Sequence, residues 1–523
     1  MRRVRPSTLA RSARLRWVVL AATTLLALGG WLAAAPTGAS PDDDYHLTSI
    51  WCARGFDEGV CLPNPGGPPD RSTFVPFPVA SMSCTAYDAT VSAACQADAL
   101  ARDPRTLTLG IGGNVEGERA GLYYWVMHTF VSADFPRAFA SIRIANLLTA
   151  LAVVGATMAV AAPRLRRVVA LTWLVGGLPL GYFLITSVNT SAWGLIGLGT
   201  AWANALTASR PGPTLRRASA GALTLLGVTM ALGARTEALA HLALAVPAVI
   251  LLHRAGASRA AGRPDRSSRM RRSAAATAGV AGIAVIAFAV LPTPSYLAAL
   301  LGSIGDGVAD VAERGFGDPW LAVLLEVPQL WAGGLGDRWG LGWLDTPMPS
   351  LTSVATVGSF AVLLGLGLQG ADRRRGAAVA ATLTGLFALP MFSLLAAGLV
   401  VGEQFQPRHY LPALFLLLGA ATVSDRRSHG PALGVGARSA LMIALAVANA
   451  AALHTTIRRY SAGLTQARVW DLDGSIEWWW PALPSPMTVW IVASLAYAVT
   501  AWLVLGLFAA QPTSRGAAAR PTE

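Results

Sequence analysis

The chain has 523 residues, of which 54% are apolar and 13% charged, with a formal net charge of +13. A charged share roughly half the soluble norm excludes a string of cytosolic domains, a disordered chain and a collagen, and leaves a polytopic membrane protein. The positive charge is no nucleic-acid signature: all 41 basic residues are Arg, most of them in short runs between apolar segments, as in the cytoplasmic loops of membrane proteins.

An Arg-rich amino terminus, residues 1–16, precedes a first apolar segment at 17–35. Ala33-Ala34-Ala35 resembles a signal cleavage site, but Pro36 would follow the cut and the run is long for a signal core, so the segment reads as an uncleaved anchor. Residues 36–138 form a long polar loop. Segments at 144–162, 168–187, 191–207, 218–234, 237–253 and 273–291 place spans two to seven within 139–291. An Arg-rich stretch, 254–272, reads as a solvated linker, and a second long loop covers 292–350. Segments at 351–370, 376–400, 410–423, 439–455 and 487–510 complete the set within 351–510, with a third loop at 456–486 and a tail at 511–523. The expectation is an all-α integral membrane protein of about 12 transmembrane helices, multi-pass in the cytoplasmic membrane, with both termini inside.

Charge tests this topology. Loops assigned to the cytoplasm hold 27 Arg and four acids, whereas those assigned outside hold 14 Arg and 24 acids. Arg near the span ends sets orientation, and the count agrees.

All four cysteines, Cys52, Cys61, Cys84 and Cys95, fall in the first loop. Of the three pairings open to them, the simplest is Cys52–Cys61 with Cys84–Cys95, in an oxidising compartment. A zinc site is the sharper alternative, but no C-x-x-C pair supports it.

Directly after the first span stands Pro41-Asp42-Asp43-Asp44-Tyr45-His46. With Ser40 as cap and Pro41 in the first turn, a helix here would bring Asp42 and Asp43 beside His46. Two carboxylates and an imidazole at a membrane surface suit a hard divalent cation or a general base. The plainer reading is a solvated helix start, where acids match the dipole. Further polar groups mark other outer span ends. Gly121–His128, with Tyr124 and His128, reads as an interfacial amphipathic helix. Arg137 and Arg143 follow it, Gln406, Arg408, His409 and Tyr410 precede span ten, and Arg458 follows span eleven. Arg at an outer end asks for a reason, and an anionic ligand is one: guanidinium grips phosphate in a fork. Arg235 and Glu237 read as a local ion pair with His241 satisfied beside them. Trp478-Trp479-Trp480 reads as an interface anchor. No acid or Arg lies at the middle of a span, which speaks against a proton-coupled carrier.

Four stretches carry a family resemblance: Pro41-Asp42-Asp43-x-x-His46, Leu122-Tyr123-Tyr124, Trp339-Gly340-Leu341-Gly342-Trp343-Leu344-Asp345, and Gln406-Pro407-Arg408-His409-Tyr410-Leu411-Pro412. In this order and topology they resemble the bacterial multi-pass family called domain of unknown function 2142, over residues 40 to about 490. The family often shows Asn-Pro-Asp near span four, where this chain has Asn189-Thr190-Ser191. The family in turn resembles the type-C membrane glycosyltransferases, an analogy at the level of fold. That resemblance implies inverting transfer of a sugar from a polyprenyl-phosphate carrier to an envelope glycan, lipid or protein. Asp43 or Asp42 would act as base or hold Mg2+ or Mn2+, His46 would orient the carboxylate, and Arg408, with Arg143 or Arg458, would grip the donor phosphate. The alternatives are a transporter or flippase of envelope lipid or polysaccharide, and a non-catalytic assembly protein.

Overall fold

The computed structural model describes residues 6–68, 72–103, 105–115, 120–257, 294–315, 317–403, 405–423, 433–465, 470–474 and 477–507. The expected span 273–291, most of the linker 254–272 and the tail 511–523 lie outside these residues. Among the described residues six helices are long and apolar enough to cross a membrane: Leu15–Ala34, Phe135–Val160, Ser350–Leu368, Arg373–Ala396, Val435–Ser461 and Pro486–Gly506. Ala238–His253 and Leu411–Thr422 are shorter apolar helices. Two more, Ser191–Ser209 and Thr214–Leu232, pack against each other as a hairpin.

The segment expected as one span at 168–187 is two helices, Pro163–Gly176 and Leu180–Ile185. Gly177-Leu178-Pro179 separates them, since Pro179 has no N–H to continue the ladder. The hairpin instead closes tightly. A Cβ on Gly197 would lie 2.2 Å from the Gly227 carbonyl oxygen, and one on Gly227 would lie 2.8 Å from that of Gly197. Only glycine permits this backbone approach. Buried polar side chains join other helices. Trp31 Nε1 donates to Asn449 Oδ1 at 3.0 Å, and Asn204 Nδ2 to Thr157 Oγ1 at 2.9 Å.

One end of the bundle is capped by residues 36–134. This cap holds strands, which the sequence pattern did not announce. Leu62–Pro63, Ser72–Pro76 and Leu107–Ile111 form a three-stranded antiparallel sheet with Phe74 opposite Leu109. The strands are short and half-buried, too brief for alternation to register. Disulfides Cys52–Cys61 and Cys84–Cys95 staple the cap, as the simplest pairing anticipated. The segment 292–350 is likewise more ordered than a loop, with helices Pro294–Glu313 and Pro319–Gly334.

Arg459, fully buried at the end of Val435–Ser461, fastens the cap to the bundle. Its NH1 donates to Val91 O at 2.6 Å. Its NH2 donates to Thr85 O at 2.7 Å, Asp88 O at 2.8 Å and Asp345 Oδ2 at 2.9 Å. Removing one partner of such a pair costs about 3–5 kcal/mol, because the other stays buried and unmatched. Arg459→Met should therefore lower the thermal midpoint of the purified protein by several degrees and open residues 84–95 to proteolysis. An unchanged midpoint and digestion pattern would refute this role.

Candidate functional site

The acidic motif does not enter a helix where the sequence pattern placed it. The helix runs Asp43–Trp51, and Asp42 before it is left-handed, at φ 63°. Ser40 is no cap: its hydroxyl accepts from Asn189 Nδ2 at 2.9 Å. The polar groups of residues 38–41 are claimed by distant segments, which keeps them out of the helix. Trp343 Nε1 donates to Gly38 O at 2.9 Å, and the Tyr460 hydroxyl to Ala39 O at 3.2 Å. Arg408 NH1 donates to Pro41 O at 3.0 Å, and Asn189 Nδ2 to the same oxygen at 2.9 Å.

The two acids consequently diverge. Asp43 is 1% exposed. Its Oδ2 accepts from Gly38 N at 3.0 Å and Ser40 N at 3.1 Å, while Oδ1 is buried with no hydrogen bond. Burial pushes its pKa well above the usual carboxylate range, outweighing those bonds and the Arg143 charge. The Asp42 side chain is 46% exposed and ion-paired to Arg408 NH2. Burial pulls its pKa up, but the charges of Arg408 and His46 win and hold it below the usual value. Burial also raises Asp44. Asp42 is thus the ionised, reachable carboxylate, and Asp43 is a sequestered one.

His46 is buried with Nδ1 2.9 Å from the Tyr124 hydroxyl. Tyr124 rides on the short helix Leu122–Met127. His128 caps the helix Asp43–Trp51 instead of facing the site, its Nδ1 lying 2.8 Å from Ile50 O. Arg143 is also a tie: Nε donates to Thr186 O at 2.8 Å and NH2 to Leu32 O, below the Trp480 ring. Arg458 NH2 donates to Leu464 O at 2.8 Å. Of the three expected phosphate-binding arginines, Arg408 is the one beside the acidic motif in an ion pair, with Nε buried and lacking a hydrogen bond.

Arg408 and His409 sit on the turn Pro407–His409, ahead of the helix Leu411–Thr422, and Tyr410 is buried. They meet Arg235 and Glu237, whose pairing the sequence anticipated (Arg235 Nε to Glu237 Oε1, 2.7 Å). His241, expected to be satisfied, is so at one nitrogen beside that pair: Nδ1 lies 3.0 Å from Glu237 O, while Nε2 is buried without a hydrogen bond. What spacing could not show is that this pair faces the acidic motif. Burial, with the charges of Arg235 and Arg408, pushes the His409 imidazole well below its ordinary pKa. Ser191, Arg235, Glu237, His241, Arg408 and His409 line a small cavity of about 20 Å³, room for one water.

On the other side of Pro41 lies an open cleft of about 370 Å³, lined by Pro41, Tyr87, Trp343, Leu344, Leu399, Glu403 and Gln406. Pro41 and Gln406 thus border the cleft while their chain neighbours Asp42 and Arg408 form the ion pair. Of the four non-glycine residues with positive φ among the described residues, three, Asp42, Tyr87 and Leu344, are in or beside this cleft, the kind of place where backbone strain collects. Tyr87 and Glu403 carry no motif that would single them out in the sequence.

Mg2+ or Mn2+ suits these donors poorly. Among the described residues no group of three His, Cys, Asp or Glu side chains converges. Asp42 is already neutralised by Arg408, and Asp43 spends Oδ2 on backbone amides.

A family model described as predicted membrane protein, domain of unknown function 2142, matches residues 25–418. The chain belongs to that family. No curated protein and no solved structure matches. The matched stretch of this domain-of-unknown-function-2142 protein contains Asp42, Tyr87, Arg235, Trp343 and Arg408, whereas Arg459 lies beyond it. Ser191 lines the small cavity with its hydroxyl buried and without a hydrogen bond.

The Asp43 environment sets a pH dependence. A carboxyl whose folded-state pKa is raised stabilises through its neutral form. That contribution is whole below the ordinary value of 3.8 and is lost as pH rises through the folded value. Asp43→Asn keeps an acceptor for Gly38 and Ser40 but cannot ionise. It should be relatively more stable than the parent as pH rises, with a flatter profile of melting midpoint against pH. Parallel profiles for the two proteins would rule this out.

Proposed function

We propose that this protein is an inverting glycosyltransferase of the cytoplasmic membrane, taking its sugar from a polyprenyl-phosphate carrier. The observation that carries the reading is the Asp42–Arg408 pair, with the cleft beside Pro41 on one side and a small cavity lined by Arg235 and Arg408 on the other. A base and an anion-binding group stand together where two substrates can meet. The two disulfides in the cap support an extracytoplasmic placement, with twelve spans and both termini inside. The two cavities around Pro41 and Arg408 lie at the capped end, which favours transfer over passage through the bilayer.

In the proposed reaction Arg408, with Arg235 behind it, binds the donor phosphate. An acceptor hydroxyl in the cleft attacks the anomeric carbon from the side opposite the phosphate. The new carbon–oxygen bond forms as the bond to phosphate oxygen breaks. The acceptor proton passes to Asp42, and the electron pair leaves on polyprenyl phosphate, stabilised by the guanidinium. In the resting pair Asp42 is a weak base, because Arg408 holds its pKa down. Donor phosphate competes for Arg408, which frees Asp42 and raises its basicity, so the base is armed by donor binding. Asp43 serves as a positioning residue that shapes the turn carrying Asp42.

Asp42→Asn should lower turnover about 10²–10⁴-fold while mass spectrometry still finds polyprenyl-phosphate sugar co-purifying with the protein. Arg408→Ala should lose that lipid. Normal turnover in Asp42→Asn would remove the base. Bulk phospholipid alone in every preparation would favour the transporter or assembly alternatives.

A further inference from the structure

The cleft beside Pro41 has a wall built at some cost. Tyr87 is 76% exposed, yet it is held firmly. Its loop is closed by Cys84–Cys95, and Arg459 binds carbonyl oxygens at Thr85, Asp88 and Val91, on both sides of it. Leu464 N donates to Ala89 O at 2.8 Å. Tyr87 itself takes a left-handed backbone, at φ 62°. Its ring stands 5.2 Å from that of Trp343, tilted by 61°, and Trp343 is anchored in turn through Nε1 to Gly38 O. A large exposed ring fixed this thoroughly is preorganised for a ligand.

The remaining lining defines the ligand. Glu403 and Gln406 give the cleft hydrogen-bonding groups, and Gln406 Oε1 is buried without a partner. Glu403 is held by Arg314 at 2.9 Å and by Val400 N at 2.9 Å. None of the residues lining the cleft is an Arg, and the nearby Arg314 is already held by Glu403, so the lining offers no cation to an anionic ligand. An aromatic face for stacking with hydroxyl-binding groups at its edge matches a sugar ring, which has an apolar C–H face and a polar rim. A lipid chain would leave Gln406 unmatched. The volume, about 370 Å³, lies in the usual range for small-molecule sites, roughly 300–1,000 Å³.

The geometry points to this cleft as a binding site for a neutral saccharide, with Tyr87 and Trp343 as its stacking corner and Gln406 as a hydrogen-bonding group. It rests on the transferase reading only in naming that saccharide the acceptor.

The test uses the full chain in lipid nanodiscs and a panel of neutral tetrasaccharides of glucose, galactose, mannose and arabinose, with binding followed by saturation-transfer NMR. At least one should bind. Tyr87→Ala should weaken it about tenfold, the scale of one lost ring contact; Tyr87→Phe should bind like the parent. Because Tyr87 is exposed, an unchanged melting midpoint in Tyr87→Ala separates lost binding from lost folding. Gln406→Leu gives a second variant on a different element. Failure of the whole panel, or equal binding by the parent and both Tyr87→Ala and Gln406→Leu, overturns the proposal. Lipid analysis of the same preparations keeps the two readings apart. Polyprenyl phosphate retained without saccharide binding sinks the cleft assignment alone. Saccharide binding with no polyprenyl species sinks the transferase reading and leaves the cleft a saccharide site.

Discussion

Everything at the capped end depends on satisfying the backbone of residues 38–43. A chain leaving a membrane helix has peptide groups that no longer have intrahelical partners, and burying them unpaired is costly. Here the partners come from far along the sequence. Trp343 takes Gly38 O, Tyr460 takes Ala39 O, and Arg408 and Asn189 take Pro41 O, while Asp43 turns back onto the Gly38 and Ser40 amides. One short turn is thereby bonded to four distant segments. Its geometry, and that of Asp42 at its tip, becomes a property of the whole bundle.

This arrangement gives neighbouring carboxylates different work. Asp43 is spent on structure, and burial disfavours its charge. Asp42 is pushed outward by the left-handed backbone and kept ionised by Arg408. Separating two like groups by environment is how a site obtains both a fixed scaffold and a reactive carboxylate from adjacent residues. The arginines divide in the same way. Arg143 and Arg459 are taken up in holding elements together, whereas Arg408, though it also binds Pro41 O, pairs with the half-exposed Asp42 and lines the small cavity.

Much of this was legible in the chain. Apolar stretches showed most of the helices, because lipid-facing and buried surfaces alike demand apolar side chains over a fixed length. The disulfide pairing followed from proximity in sequence. The acidic motif and Arg408 were visible as polar residues out of place at span ends. The strands of the cap were not legible, since none exceeds five residues and their faces are half-buried. The break at Pro179 within an apolar run was obscured by hydropathy, which does not register a missing N–H.

Composition, periodicity and charge placement thus determined by themselves a polytopic helical protein with a stapled polar loop and a cluster of acids and Arg at its helix ends. They did so because those signals are local, or summed along the chain. Tertiary structure alone decided that Asp42 is half-exposed and Asp43 sequestered, that Arg408 and not Arg143 or Arg458 pairs with the motif, and that Tyr87 stands against Trp343. Each of these depends on which distant segment supplies a partner to a given atom, and sequence spacing holds no record of that choice.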